Sequence, residues 1–330
     1  MIRKTRLIRL LVLLIVLIGL SSYLSLFLGV TTIRPLEAIR EWSSGDLSKE
    51  TLVLTTLRLP RLVLGLILGA NLAVAGALMQ AVTRNPLASP QVFGVNAGAS
   101  LFVVLALLLF PALGTANLVY FAFFGAMIGG LLVFSFASVR GMTSLKLALV
   151  GMAIHLLLTS LTKGLILFND RITNVLYWLS GSISDSGWLE VRLIVPWSII
   201  GLILAFSLAK SLAIFQLGQD VAVGLGQNIT RIRMLAAVAV VLLAGVTVAV
   251  AGAIGFIGLM VPHIVRRLVG EDYRYVLPVS ALCGGLLLTS ADVLARFIAY
   301  PYESPVGIVT ALLGAPFFLY LAKRQTKGVA

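Results

Sequence analysis

Ten long apolar runs, each carrying little charge, leave this chain few solvents to fold in. They cover residues 7–29, 62–81, 94–110, 117–139, 145–168, 191–210, 232–252, 261–270, 275–299 and 306–323. A helix of about 20 apolar residues, rising about 1.5 Å per residue, matches the hydrocarbon core of a bilayer. The runs are continuous rather than alternating, which excludes a β-barrel. With 60% hydrophobic and 11% charged residues and a mean hydropathy of +1.08, the chain reads as all-α and polytopic. About ten transmembrane helices in a single domain, 1–330, are expected. The run at 261–270 is too short to cross alone. It reads as a half-helix behind a re-entrant stretch, GAIGFIGLM, of a kind tolerated at membrane depth only inside protein or beside a cavity.

The N-terminal run is basic and then apolar. It is too long for the apolar core of a signal peptide, and no small-residue cleavage motif follows it. It reads as a first membrane helix with its N-terminus in the cytoplasm, and ten crossings return the C-terminus to the same side. On that topology sixteen basic residues oppose three acidic ones on the cytoplasmic face, and nine oppose nine on the outer face. The whole net charge of +13 therefore sits on one side, as the positive-inside rule expects. The basic excess is a topology signal. With no basic aromatic module present, a nucleic-acid partner is excluded and lipid is the expected surroundings.

Three hydrophilic stretches interrupt the runs. Residues 30–60 form an outer loop with a short amphipathic helix. Residues 169–190 form a second outer segment, with Trp178 and Trp188 as interfacial anchors. Residues 211–231 lie inside as one or two short helices with glycine joints. The stretch from Gly69 to Ser100 breaks at Asn85-Pro86 and Ser89-Pro90, because proline removes an amide donor and moves the preceding residue out of the α region. A faint internal repeat is present at an offset of 176. Gly69, residues 73–77, Pro86 and Gly94 recur as Gly245, residues 249–253, Pro262 and Gly270. Such symmetry is common in transporters. It would be inverted, with repeats at 62–168 and 232–323.

Several chemistries are absent. There is no G-x-x-x-x-G-K-[ST] phosphate loop. His155 and His263 have no ligand-spaced cysteines or carboxylates beside them, so no metal site is expected. No nucleophile or paired-carboxylate set is suggested, and the chain is not expected to be an enzyme. Cys283 is the only cysteine, so no intrachain disulfide forms. His155, in mid-span, reads as a histidine satisfied by a neighbouring helix. Asp292 and Arg296, four apart, are placed to pair across one turn. The Gly65/Gly69, Gly94/Gly98 and Gly125/Gly129 spacings fit close helix packing.

RLPR (58–61), GALMQ (76–80), NPLASPQVFGVNAGAS (85–100), GFIGLMVPHIVR (255–266), ADVLAR (291–296) and PVGIVTALLGAPFF (305–318) together resemble the permease subunits of type II ABC importers. These are the iron–siderophore, haem and cobalamin uptake systems. The resemblance implies a ten-helix permease of a prokaryotic cytoplasmic membrane, paired with an identical or paralogous permease. Two cytoplasmic ATPase subunits would use the ATP, and an extracytoplasmic binding protein or lipoprotein would deliver the ligand. This chain would bind no cofactor. The resemblance further implies that Arg58, Arg61 and Arg296 meet acidic groups of the binding protein. Asn85, Pro86 and Leu87, with Thr143 and Ser144, would form the inner gate. Leu217, Gly218, Asp220, Ala222, Leu225 and Gly226 would contact the ATPases. An iron(III)–siderophore is the favoured cargo over haem and cobalamin. A secondary transporter driven by an ion gradient, or a channel, is the alternative in kind, but no acid–base chain spans the membrane. GEDYR (270–274) carries no assignment.

Overall fold

The computed structural model describes residues 4–29, 48–138, 144–168, 178–300 and 302–326. Among these the chain is helical, with no strand. Helix α1 is Lys4–Phe27, α2 Lys49–Val53, α3 Leu59–Thr83, α4 Val95–Leu109, α5 Thr115–Ser138 and α6 Ser144–Leu167. After these come α7 Trp188–Ser207, α8 Ala209–Phe215, α9 Gln219–Gly224, α10 Ile229–Ala251, α11 Ile257–Val269, α12 Tyr273–Ile298 and α13 Val306–Thr326. Ten of these helices fall on the ten apolar runs. Seven helical stretches are long and apolar enough to cross a membrane. Helices α4 and α11 are shorter than a span, and α13 is apolar over Val306–Leu319.

Helix α3 is the hub. It is buried along nearly its whole length and packs against α12, α10, α11 and α7. Its small residues explain this. A side chain added at Gly69 would overlap the Gly284 carbonyl of α12, and one at Gly76 would overlap Gly258 of α11. The α4–α5 seam is built likewise, with Gly98 against Gly125 and Gly129 against Gly94. Close backbone approach replaces the hydrophobic drive that lipid cannot supply between helices. Two polar ties add direction. Asn71 donates to Ser198 of α7 at 2.8 Å, and Gln80 donates to the Gly258 carbonyl at 3.2 Å. Helix α1 lies at the periphery, against α12.

The structure corrects the sequence reading in several places. A short helix is expected in the 30–60 loop, and what differs is its continuation. Helix α2 runs into a π-helical turn, Leu54–Arg58, and then α3, so Arg58 and Arg61 sit on one helical run rather than beside a loop turn. Residues 30–47 of that loop lie outside the described residues. In GAIGFIGLM, the part from Ile257 onward is already helix, because Phe256 in the left-handed region starts α11. Trp188, expected as an interfacial anchor, makes a tertiary bond: its indole Nε1 donates to the Thr55 carbonyl at 2.8 Å, tying α7 to the π-turn. The GEDYR run is a helix joint. Gly270 ends α11 at φ 78°, and the Asp272 carboxylate caps α12 by accepting from the Arg274 amide.

The repeat offset pairs like positions at one place. Gly69 is a seam residue of α3, and Gly245 is one of α10, against Ala126 of α5. Further on the register departs. Gly76 is inside α3 but Gly252 ends α10, and Pro86 lies between helices while Pro262 lies within α11.

Candidate functional site

Three places carry the polar chemistry. The first is at the end of the bundle where α3 starts and α12 ends. Arg61 lies in the first turn of α3, after Pro60, whose missing amide costs nothing at that position. Its Nε and Nη2 donate to the Asp292 carboxylate at 2.8–3.0 Å, and its Nη1 donates to Glu303 at 2.6 Å. Asp292 accepts again from Arg296 Nη2 at 2.7 Å, across one turn of α12. Arg296 Nη1 also donates to the Ser25 carbonyl at 2.6 Å, and Arg58 Nη1 donates to the Leu26 carbonyl at 2.7 Å. One carboxylate thus bridges two guanidiniums, and the end of α1 is clamped by two arginines. All three arginines and Asp292 are buried; Glu303 keeps 29% of its side chain exposed. The three arginines and Glu303 border a cavity of about 360 Å³ that also meets Ser184 and Asp185.

The second place is the opposite end, where α3 stops. Arg84 adopts a left-handed conformation, φ 51°, and ends the helix. The Asn85 side chain then accepts from the Leu87 amide at 2.9 Å, an Asx turn that carries the chain through Pro86. Asn85 and Pro86 are exposed and Leu87 half-buried. Arg84 Nη2 donates to the Phe215 carbonyl at 2.8 Å and lies 4.5 Å above the Phe215 ring, which fastens this turn to the end of α8. Beyond Phe215, Gly218 at φ 135° and Gly226 at φ 78° flank α9. Ala222 is fully buried, while Leu217, Val221, Val223 and Leu225 are exposed beside the exposed Asp220. An apolar patch on two short helices, next to a charge, has the composition of a contact surface. Ser144 opens α6, and Thr143 lies outside the described residues.

The third place, at depth, escaped the sequence reading. The 3₁₀ turn Pro90–Phe93 precedes the short α4, and the non-helical residues 252–256 precede the short α11. The two breaks touch: Gly258 packs on Pro90, and the Gln91 side-chain amide lies beside Gly255. A cavity of about 460 Å³ opens next to them, bordered by α4 and α6. His155 faces it. The expected helix–helix bond to His155 does not form at Nδ1, which is buried with no hydrogen-bond partner. Four members of the polar lining, His155, Thr159, Thr162 and Lys163, recur at three- and four-residue spacing on α6, a signal visible in the sequence. Among the described residues no group of histidine, cysteine or carboxylate side chains is placed to hold a metal ion.

A helical bundle threaded on backbone-close seams, with two broken short helices meeting beside a polar cavity, is the build of a multi-pass membrane transport permease. The chain belongs to the FecCD transport family, which it matches over residues 7–324. It is 55% identical over 301 residues to the iron(III)-citrate import system permease YfmD of Bacillus subtilis, covering 91% of this chain and 90% of that one. It is 42% identical to the iron(III) dicitrate permease FecD of Escherichia coli, covering 92% and 95%. It is 43% identical to the cobalamin import permease BtuC of Halobacterium salinarum, covering 82% and 73%. A solved structure described as an inward-facing metal-chelate type ABC transporter superposes with a TM-score of 0.83 at 29% identity, covering 96% of this chain and 99% of that one.

Proposed function

We propose that this chain is the permease subunit of an ATP-driven importer that moves an iron(III) chelate, of the citrate or siderophore kind, across a prokaryotic cytoplasmic membrane by alternating access. The observation that carries the reading is the 55% identity to an iron(III)-citrate permease across nine-tenths of both chains. Two ATPase subunits hydrolyse the ATP, because this chain has no phosphate loop, and a second permease completes the pathway. The arginine end faces outward and receives a ligand-loaded binding protein; the Asn85–Leu87 turn and the residues near Thr143 and Ser144 close the inner gate. The patch around α9, with Leu217, Gly218, Asp220, Ala222, Leu225 and Gly226, meets the ATPases. Its support is the exposed apolar surface there and the Arg84–Phe215 fastening that links it to the gate turn.

The docking role of Arg58, Arg61 and Arg296 works by exchange. Their guanidiniums are already engaged, and the half-exposed Glu303 is the partner that an incoming carboxylate displaces from Arg61. The reading of repeats at 62–168 and 232–323 draws support from matched packing, since α3 contacts α12 as α10 contacts α5.

Reconstitution in liposomes with the ATPase and the binding protein tests the proposal. Uptake of radiolabelled iron(III) chelate that requires ATP hydrolysis supports it. Uptake that persists with a hydrolysis-dead ATPase, and collapses on addition of an ionophore, would point to a secondary transporter. Preferential uptake of cobalamin would reassign the cargo.

A further inference from the structure

The cavity beside the two helix breaks has an unusual balance of charge. From α4 it takes Asn96 and Ser100, and from α6 it takes His155, Thr159, Thr162 and Lys163. On a helix rising about 1.5 Å per residue, the stripe from His155 to Lys163 is about 12 Å long. Among the described residues no carboxylate lines the cavity and no ion pair reaches Lys163. Ser89 and Gln91 add neutral polar groups, and the rest of the wall is apolar, with Met152, Ile166 and Leu179. Lys163 is exposed four residues before α6 ends at Leu167 and borders this cavity, and charges on membrane helices face cavities that use them. Thr162 Oγ1 and Ser100 Oγ donate to their own helix carbonyls, so these hydroxyls are already committed as donors. Among the described residues the lysine is the one charged donor on the wall, with the His155 imidazole eight residues away on the same helix.

We propose that this cavity is a passing site for an anionic iron(III) chelate with free carboxylate edges, and that the Lys163 ammonium, assisted by His155, selects for that charge. The inference rests on the importer reading above and deepens it. A volume of about 460 Å³ suits a small chelate. A neutral chelate gains nothing from a single ammonium, whereas a carboxylate edge replaces the water that the ammonium holds. One charge on a largely apolar wall attracts without trapping, as passage through a membrane requires.

The test uses the complete importer in proteoliposomes, with iron(III) in excess citrate as the probe. At saturating loaded binding protein, Lys163→Gln is expected to lower the uptake rate about fivefold, the effect of one unit charge lost at contact distance in a hydrated cavity. Lys163→Arg is expected to retain uptake, and His155→Gln to fall between them. Stimulation of ATP hydrolysis by the binding protein should stay at the wild-type level in each, because Lys163 and His155 belong neither to the arginine cluster nor to the patch around α9. Uptake by Lys163→Gln and Lys163→Glu at the wild-type rate would overturn the site. A wild-type importer that moves a neutral hydroxamate chelate but not the citrate chelate would also overturn it, leaving the importer reading intact. A wild-type complex that imports neither chelate with ATP would remove the importer reading, and this inference with it.

Discussion

Asp292 is the side chain on which the arginine end depends. It is 2% exposed and holds two guanidiniums at once, so its removal leaves buried Arg296 without a carboxylate and Arg61 with Glu303 alone. Breaking a buried pair from one side costs about 3–5 kcal/mol. Asp292→Ala should therefore lower the unfolding temperature in detergent sharply. Glu303→Ala, at a carboxylate that water reaches, should cost about 1 kcal/mol or less. Equal shifts for the two would contradict the bridging role. A second carboxylate gives a pH signature. The side-chain hydrogen bonds from Arg274 hold the Asp272 carboxyl below its ordinary value. A depressed value stabilises the fold above the unfolded value of about 3.9 and is lost as pH falls through the folded one. The cap itself is worth about 1 kcal/mol. Asp272→Ala should thus destabilise α12 at neutral pH, and its difference from wild type should vanish in unfolding measurements taken well below pH 4. The i,i+4 spacing made the Asp292–Arg296 pair legible in the sequence. The Arg61–Asp292 bond joins residues 231 apart, and no local pattern announces it.

The helices owe their arrangement to what is missing from their faces. Gly69 and Gly98 each sit where another backbone passes at contact distance. Gly69→Val and Gly98→Val force that seam apart, and overpacking of this sort costs about 1–3 kcal/mol. Both should unfold at lower temperature than Gly164→Ala, at a position where nothing lies within 4 Å. The α8 end is held differently, by one hydrogen bond and one cation–ring contact from Arg84. Arg84→Ala removes both, each worth about 1 kcal/mol. Amide exchange should quicken across residues 209–226 while the middle of α3 keeps its protection. The glycine spacings marked the seams in advance. They could not name the partners, because spacing on one helix says which face is bare and nothing about which helix fills it. His155 shows the same limit: mid-span placement marked it as special, but only the tertiary fold shows that it faces a cavity.

At the scale of the molecule, the asymmetry of charge makes a directional prediction. In a Cys283→Ser background, which is free of other cysteines, Gln227→Cys should react with a membrane-impermeant thiol reagent only from the cytoplasmic face. Ser48→Cys should react only from the outer face. Labelling of both from one side would contradict the topology. The apolar runs made the places of the long helices legible, because hydrophobic length is a property of the chain itself. What they left hidden is the meeting of the 90–93 and 252–256 breaks, which depends on how α4 and α11 are threaded against α3. That hub has a mechanical consequence. A helix flanked by bare backbone has few side-chain torsions to take up a displacement. Helix α3 is about 37 Å long at 1.5 Å per residue. It ends in the Asn85–Leu87 turn on one side and carries Arg61 of the arginine cluster on the other. Pushed at one end, it has little slack to lose on the way, and it would move as a pushrod rather than as a spring.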